Sequence, residues 1–161
     1  MEPSAGNLTR SSDSAPLEPT AARLERISRA GITILNNHDF ELKSKEAQEL
    51  LAHLSLKYRA RLDAAGGPLR PLTFEEQVAQ WSQRAQEHPD VHFEILDVSS
   101  TVDEEKGEAS VYMTMEVTGL GSVSLHAMNE LSWKREHGEW KCYHVVGLRG
   151  SFGNMGGPMP G

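Results

Sequence analysis

Two polar side chains interrupt segments whose alternate residues are otherwise apolar, and chemistry could reside there. His144 falls between Cys142 and Val146, and Asn129 between Ala127 and Leu131. An imidazole titrating near neutrality can move a proton, while an amide nearby holds a substrate oxygen, the pairing that general acid–base catalysis requires. A histidine satisfied within a core or interface, and an asparagine bonded to a loop, would give the same pattern. His38-Asp39 lies in the break after the first helical stretch. Asp39 could orient a histidine or act as a base if desolvation raised its pKa; the pair could equally end one helix and open a turn. Tyr58 could donate to an enolate or carbonyl oxygen and Trp81 could wall a pocket, although both types also serve as core residues with a polar tip at the rim. Lys57, Arg59 and Arg61 point one way from their segment, with Arg70 nearby. They could hold an acidic ligand or simply discourage edge-to-edge pairing.

Several chemistries lack support. No Gly-rich phosphate loop occurs. The seven histidines form no H-x-H or H-E-x-x-H, and no paired Cys/His spacing exists, so neither a metal site nor a cofactor is expected. Cys142 on an apolar face reads as a small buried hydrophobe, and a single cysteine cannot form an intrachain disulfide, which fits a reducing compartment. The net charge of −7 over 161 residues repels polyanions, so no nucleic-acid partner is expected. No run of 18 apolar residues is present, and a start at Met1-Glu2-Pro3-Ser4 lacks an apolar leader, so the expectation is a cytoplasmic protein without a membrane partner.

The elements that must position these residues read as one α+β domain. Residues 1–19, rich in Ser, Pro, Ala and Gly, are expected to form a disordered tail, and 150–161 a flexible Gly/Pro-rich one. The domain between them, 20–149, opens with a helix capped near Thr20 that carries Leu24, Ile27, Gly31, Ile34 and Leu35 on one face. A shorter helix follows with Ala47, Leu50, Leu51 and Leu54 inward. Leu56, Tyr58, Ala60 and Leu62 alternate as a strand ended by Gly66-Gly67-Pro68. Thr73-Phe-Glu-Glu76 is a capping box for a helix burying Phe74, Val78, Trp81 and Ala85, which Pro89 closes. Four strand patterns come next. Their inward sets begin with Val91, Phe93 and Ile95, then Ala109, Val111, Met113, Met115 and Val117. The third has Val123 through Trp133 at every second residue, and the last Trp140, Cys142, His144, Val146 and Leu148. Turns are expected at Asp103–Gly107, Gly119–Gly121 and His137-Gly138.

Helix, helix, strand, long helix and a four-strand meander resembles the NTF2-like cone fold of SnoaL-type cyclases, ketosteroid isomerase and scytalone dehydratase. The Glu75–Pro89 helix running into the Val91 strand, and the closing Trp133-Lys-Arg-Glu-His-Gly-Glu-Trp-Lys-Cys-Tyr-His, carry the likeness. It implies a curved antiparallel sheet wrapped around the N-terminal helices, a pocket at the open end, His38-Asp39 near its mouth, and dimers through the outer face of the sheet, where Tyr112, Met128 and Tyr143 would lie. Neither the Tyr and two Asp of ketosteroid isomerase nor the Asp-Arg-Asp of limonene epoxide hydrolase maps onto this chain. The resulting expectation is a homodimeric, cofactor-free cyclase, dehydratase or isomerase for a hydrophobic, polyketide- or terpenoid-like small molecule. His144 and Asp39 would be catalytic, and Asn129, Tyr58, Trp81 and His38 would bind substrate. A non-catalytic ligand-binding or dimerisation module is the alternative.

Overall fold

The computed structural model describes residues 18–62 and 70–149. Most of the two expected tails, and the Gly66-Gly67-Pro68 stop, lie outside those residues.

Helix α1 spans Thr20–Asn36 and buries Leu24, Ile27, Ile34 and Leu35 as expected. Its cap differs: Pro19 holds the N-cap position, no side chain caps the first turn, and Thr20 is already helical. Proline suits that boundary because its fixed φ and missing N–H cost nothing before the first intrahelical bond. The far end of α1 is tied down by Asn36, whose Nδ2 donates to the Phe93 carbonyl at 2.8 Å while its Oδ1 accepts from the Phe93 N–H at 2.9 Å. Helix α2, Lys45–Ala52, starts where the Ser44 hydroxyl accepts from the Ala47 N–H at 3.0 Å. Strand β1, Leu54–Leu62, follows. Helix α3, Phe74–Glu87, opens on the expected capping box: Thr73 Oγ1 accepts from the Glu76 N–H, and Glu76 Oε1 from the Thr73 N–H.

The remaining strands are β2 (His92–Asp103), β3 (Glu108–Leu120), β4 (Val123–Glu136) and β5 (Glu139–Arg149). With β1 they form one sheet in the order β1-β5-β4-β3-β2. Strands β2 to β5 are an antiparallel meander, whereas β1 joins β5 in parallel. The hairpin turns use left-handed backbone where expected: Gly107, Gly119, Gly121 and the His137-Gly138 pair all have positive φ. At Gly119 space matters as well, since a Cβ there would lie 1.9 Å from the Asp90 carbonyl oxygen.

Strand β3 follows strict alternation, with Ala109, Val111, Met113, Met115 and Val117 all buried against the helices. Four register shifts interrupt the ladders: one at the end of β3, where Val117 pairs with Leu125 but Leu120 with Val123, and three bulges in the other strands. The first bulge leaves Leu96 unpaired between Ile95 and Asp97. The second lies in β1, where Leu54 to Arg59 oppose only Cys142 to His144; it turns Leu56 fully into solvent, against the expectation that it faces inward. The third is at Tyr143, because Ser132 pairs with His144 but Trp133 with Cys142. An extra residue reverses the facing of every side chain after it. Strand β5 therefore buries Trp140 and Cys142 and then Val145, not His144. Around Trp133, fully buried and donating its indole N–H to Ser28 Oγ at 3.1 Å, the core joins α1, α2, β1 and the inner sheet face.

Candidate functional site

A cavity lies between α1, α3 and the inner face of the sheet, with a free volume of about 40 Å³. α3 contributes Phe74, Gln77 and Trp81, spaced three and four apart and so on one helical face. Tyr58 comes from β1 and Asn129 from β4, while Met113, Leu131, Cys142 and Val145 form the sheet floor. Ser28, Gly31 and Ile32 of α1 close the opposite side. The aromatic wall is built from edge contacts: Tyr58 meets Phe74 with centroids 5.7 Å apart, and Phe74 meets Trp81 at 6.3 Å. Half-buried Gly31, Phe74 and Trp81 place the mouth between α1 and α3.

Of the expected site residues, Asn129, Tyr58 and Trp81 share this cavity. The other three lie elsewhere. His144 is on the outer sheet face, flanked across the ladder by Arg59 and Ser132, because of the bulge at Tyr143. Asp39 is not raised toward a useful base but lowered, since the Ser44 side chain and the N–H groups of Lys43 and Ser44 stabilise its carboxylate. It shapes the turn that leads into α2. His38 is exposed, with positive φ, and stacks on Phe40 at 5.5 Å.

Two groups with no expected role enter the cavity wall. Gln77 is only 4% exposed, and its Oε1 accepts the Tyr58 hydroxyl proton at 2.6 Å. Ser28 holds Trp133 in place. Both have a sequence signal: Gln77 shares a helical face with Phe74 and Trp81, and Ser28 follows Leu24 by one turn. The ionisable groups of the wall are neutral at ordinary pH. Burial raises the Tyr58 hydroxyl well above its usual range, with Cys142 reinforcing the shift, and burial pushes the Cys142 thiol up to about 12. Among the described residues, no carboxylate, imidazole or cationic side chain lines the cavity. No cluster of His, Cys, Asp or Glu suited to a metal ion occurs among the described residues, and no helix among them is long and apolar enough to cross a membrane.

No protein-family model matches the sequence, and no curated protein does. Solved structures do match in shape. An NTF2-like protein of unknown function from Pseudomonas putida superposes with a TM-score of 0.60 at 11% identity, over 79% of this chain and 84% of that one. The chain has the NTF2-like fold. An NTF2-like protein with a cystatin-like fold from Novosphingobium aromaticivorans gives a TM-score of 0.58 at 12% identity, over 81% of each chain. An uncharacterised protein with a cystatin-like fold from Caulobacter vibrioides gives 0.57 at 15% identity, over 78% of this chain and 86% of the other. At these identities the likeness extends to the NTF2-like fold alone, and function has to be argued from the cavity and the sheet.

Proposed function

We propose that the protein is an NTF2-like binding module whose cone takes a compact, uncharged small molecule, without acid–base catalysis at that site. The observation that carries this reading is the chemistry of the wall: two carboxamides and a phenol amid apolar side chains, with no group among the described residues that exchanges a proton near neutrality. Size supports it. The free volume of about 40 Å³ is roughly a quarter of the ~150 Å³ in which an engineered protein cavity holds benzene. A multi-ring polyketide does not fit the cone in this conformation. The test is two-dimensional amide NMR of the full chain against neutral fragments of two to four heavy atoms. Saturable shifts at Gly31, Gln77, Trp81 and Asn129 are expected. A cone that none of them perturbs would be a filled core, and the reading would fall.

A second reading, self-association through the outer sheet face, is favoured by charge. Arg59 and Arg61 project from β1 at one margin of that face, and Glu94, Asp97 and Glu116 from β2 and β3 at the other. A two-fold axis running along the strands would lay the basic margin of one copy over the acidic margin of its mate, with Tyr112, Met128 and Tyr143 between. The pocket and the interface use opposite faces, so the two readings are compatible.

A further inference from the structure

Resting on the pocket reading, we infer that Gln77 makes the cavity selective for neutral ligands bearing a hydrogen-bond acceptor, a carbonyl above all, over hydrocarbons of the same shape and over carboxylates. The orientation of the Gln77 amide is fixed by its neighbour. The buried Tyr58 hydroxyl has one proton to donate, and Gln77 is its only hydrogen-bond partner among the described residues. Were the amide reversed, its –NH2 would donate to the phenol oxygen and the phenol proton would be left with no acceptor among the described residues. Oε1 therefore meets Tyr58 and the –NH2 group is left over. That group has no partner among the described residues, although the residue is 96% buried and its side chain lines the cavity. Arg23 Nε, not this group, is the fully buried side-chain polar atom left unmet among the described residues, so the Gln77 –NH2 keeps access to the cavity and is free to donate to whatever fills it.

The rest of the wall decides what the acceptor belongs to. Asn129, on the sheet side, is a second carboxamide with no side-chain partner among the described residues. Every other contact offered by the described residues is aromatic, aliphatic or sulfur, apart from Tyr58 and Ser28, which are engaged with Gln77 and Trp133. An anion entering here would lose its hydration with no cation to receive it. Lys57, Arg59 and Arg61, the basic residues of β1, are exposed to solvent. A hydrocarbon would enter more easily but would strand the Gln77 donor. A ketone, aldehyde or amide satisfies both conditions.

The experiment titrates the full chain with acetone, isobutene and acetate, three planar isosteres of four heavy atoms suited to so small a cavity, following amide shifts. Wild type is compared with the double variant Tyr58→Phe/Gln77→Met, which removes donor and acceptor together and keeps the volume similar. Wild type is expected to bind acetone at least fivefold more tightly than isobutene and at least tenfold more tightly than acetate. The double variant is expected to lose at least fivefold for the ketone while holding isobutene within twofold. Equal affinity for ketone and hydrocarbon, or an unchanged ketone affinity in the folded double variant, overturns the acceptor preference and leaves the pocket standing. If none of the three probes binds, the pocket reading falls and the preference with it.

Discussion

Residue positions in this cone separate by whether a polar group is buried with a partner or merely lies near the site in sequence. Tyr58 and Gln77 satisfy one another inside the wall, so removing only the phenol leaves a buried carboxamide oxygen with nothing to accept. Tyr58→Phe should lower stability by about 1–3 kcal/mol in urea unfolding. His144→Ala, on the outer face, should change the unfolding free energy by less than about 0.5 kcal/mol and leave ligand titrations untouched. A ligand affinity that depended on His144 would contradict the register. Cys142 gives a pH signature. Its thiol ionises near 9 when unfolded and is pushed up to about 12 when folded. Between those values the unfolded chain releases a proton that the folded one keeps, so stability falls as pH rises, at roughly 1.4 kcal/mol per pH unit. Urea midpoints from pH 8 to 10.5 should therefore decline more steeply in wild type than in Cys142→Ala. Parallel declines would mean the thiol is not buried as described.

At the scale of elements, the sequence carried most of the information wherever one periodicity ran unbroken. From Ala109 to Val117, β3 alternates without a fault and buries the residues its pattern indicates. The α3 capping box forms at the residues that spell it. Reading failed where one extra residue enters a strand, because nothing in Cys142-Tyr143-His144 announces that Tyr143 will be skipped by its neighbour. Leu56 shows the same limit: its hydrophobicity argued for the core, while the β1 bulge places it in water. The candidate site was thus half legible, with Asn129, Tyr58 and Trp81 found, His144 lost to register, and Gln77 overlooked on a helical face already known to be buried. Turn chemistry allows a sharper element-scale prediction. Gly121→Ala meets no neighbour within 4 Å and should cost only the left-handed backbone penalty of about 1–2 kcal/mol. Gly119→Ala adds a collision with the Asp90 carbonyl and should cost clearly more. Thermal melts of the two variants measure the difference directly.

For the whole molecule, the two faces of one sheet divide the proposed work, the inner face lining a small neutral cavity and the outer face offering a charge-separated surface. The net charge of −7 opposes self-association in general, so only local complementarity could bring two copies together. Multi-angle light scattering should give twice the chain mass for wild type and the monomer mass for Arg59→Glu/Arg61→Glu. Adding Glu94→Lys/Asp97→Lys to that variant should restore the larger mass. A monomeric wild type would end the interface reading without affecting the cavity.

The parallel seam between β1 and β5 also bears on how the chain reaches its structure. Three hairpins can zip the meander from nearby segments, but β1 must wait for a partner more than eighty residues downstream, Leu54 for Cys142 and Ala60 for Val145. Closing so large a loop is entropically slow, and contacts of that range form late in small domains. A nascent chain would hold its first strand unpaired, with Tyr58 and Ala60 uncovered, until β5 has left the ribosome. In refolding, substitutions at Ala60 should then chiefly speed unfolding, whereas substitutions at Val111 or Leu131 should slow the approach to the folded state.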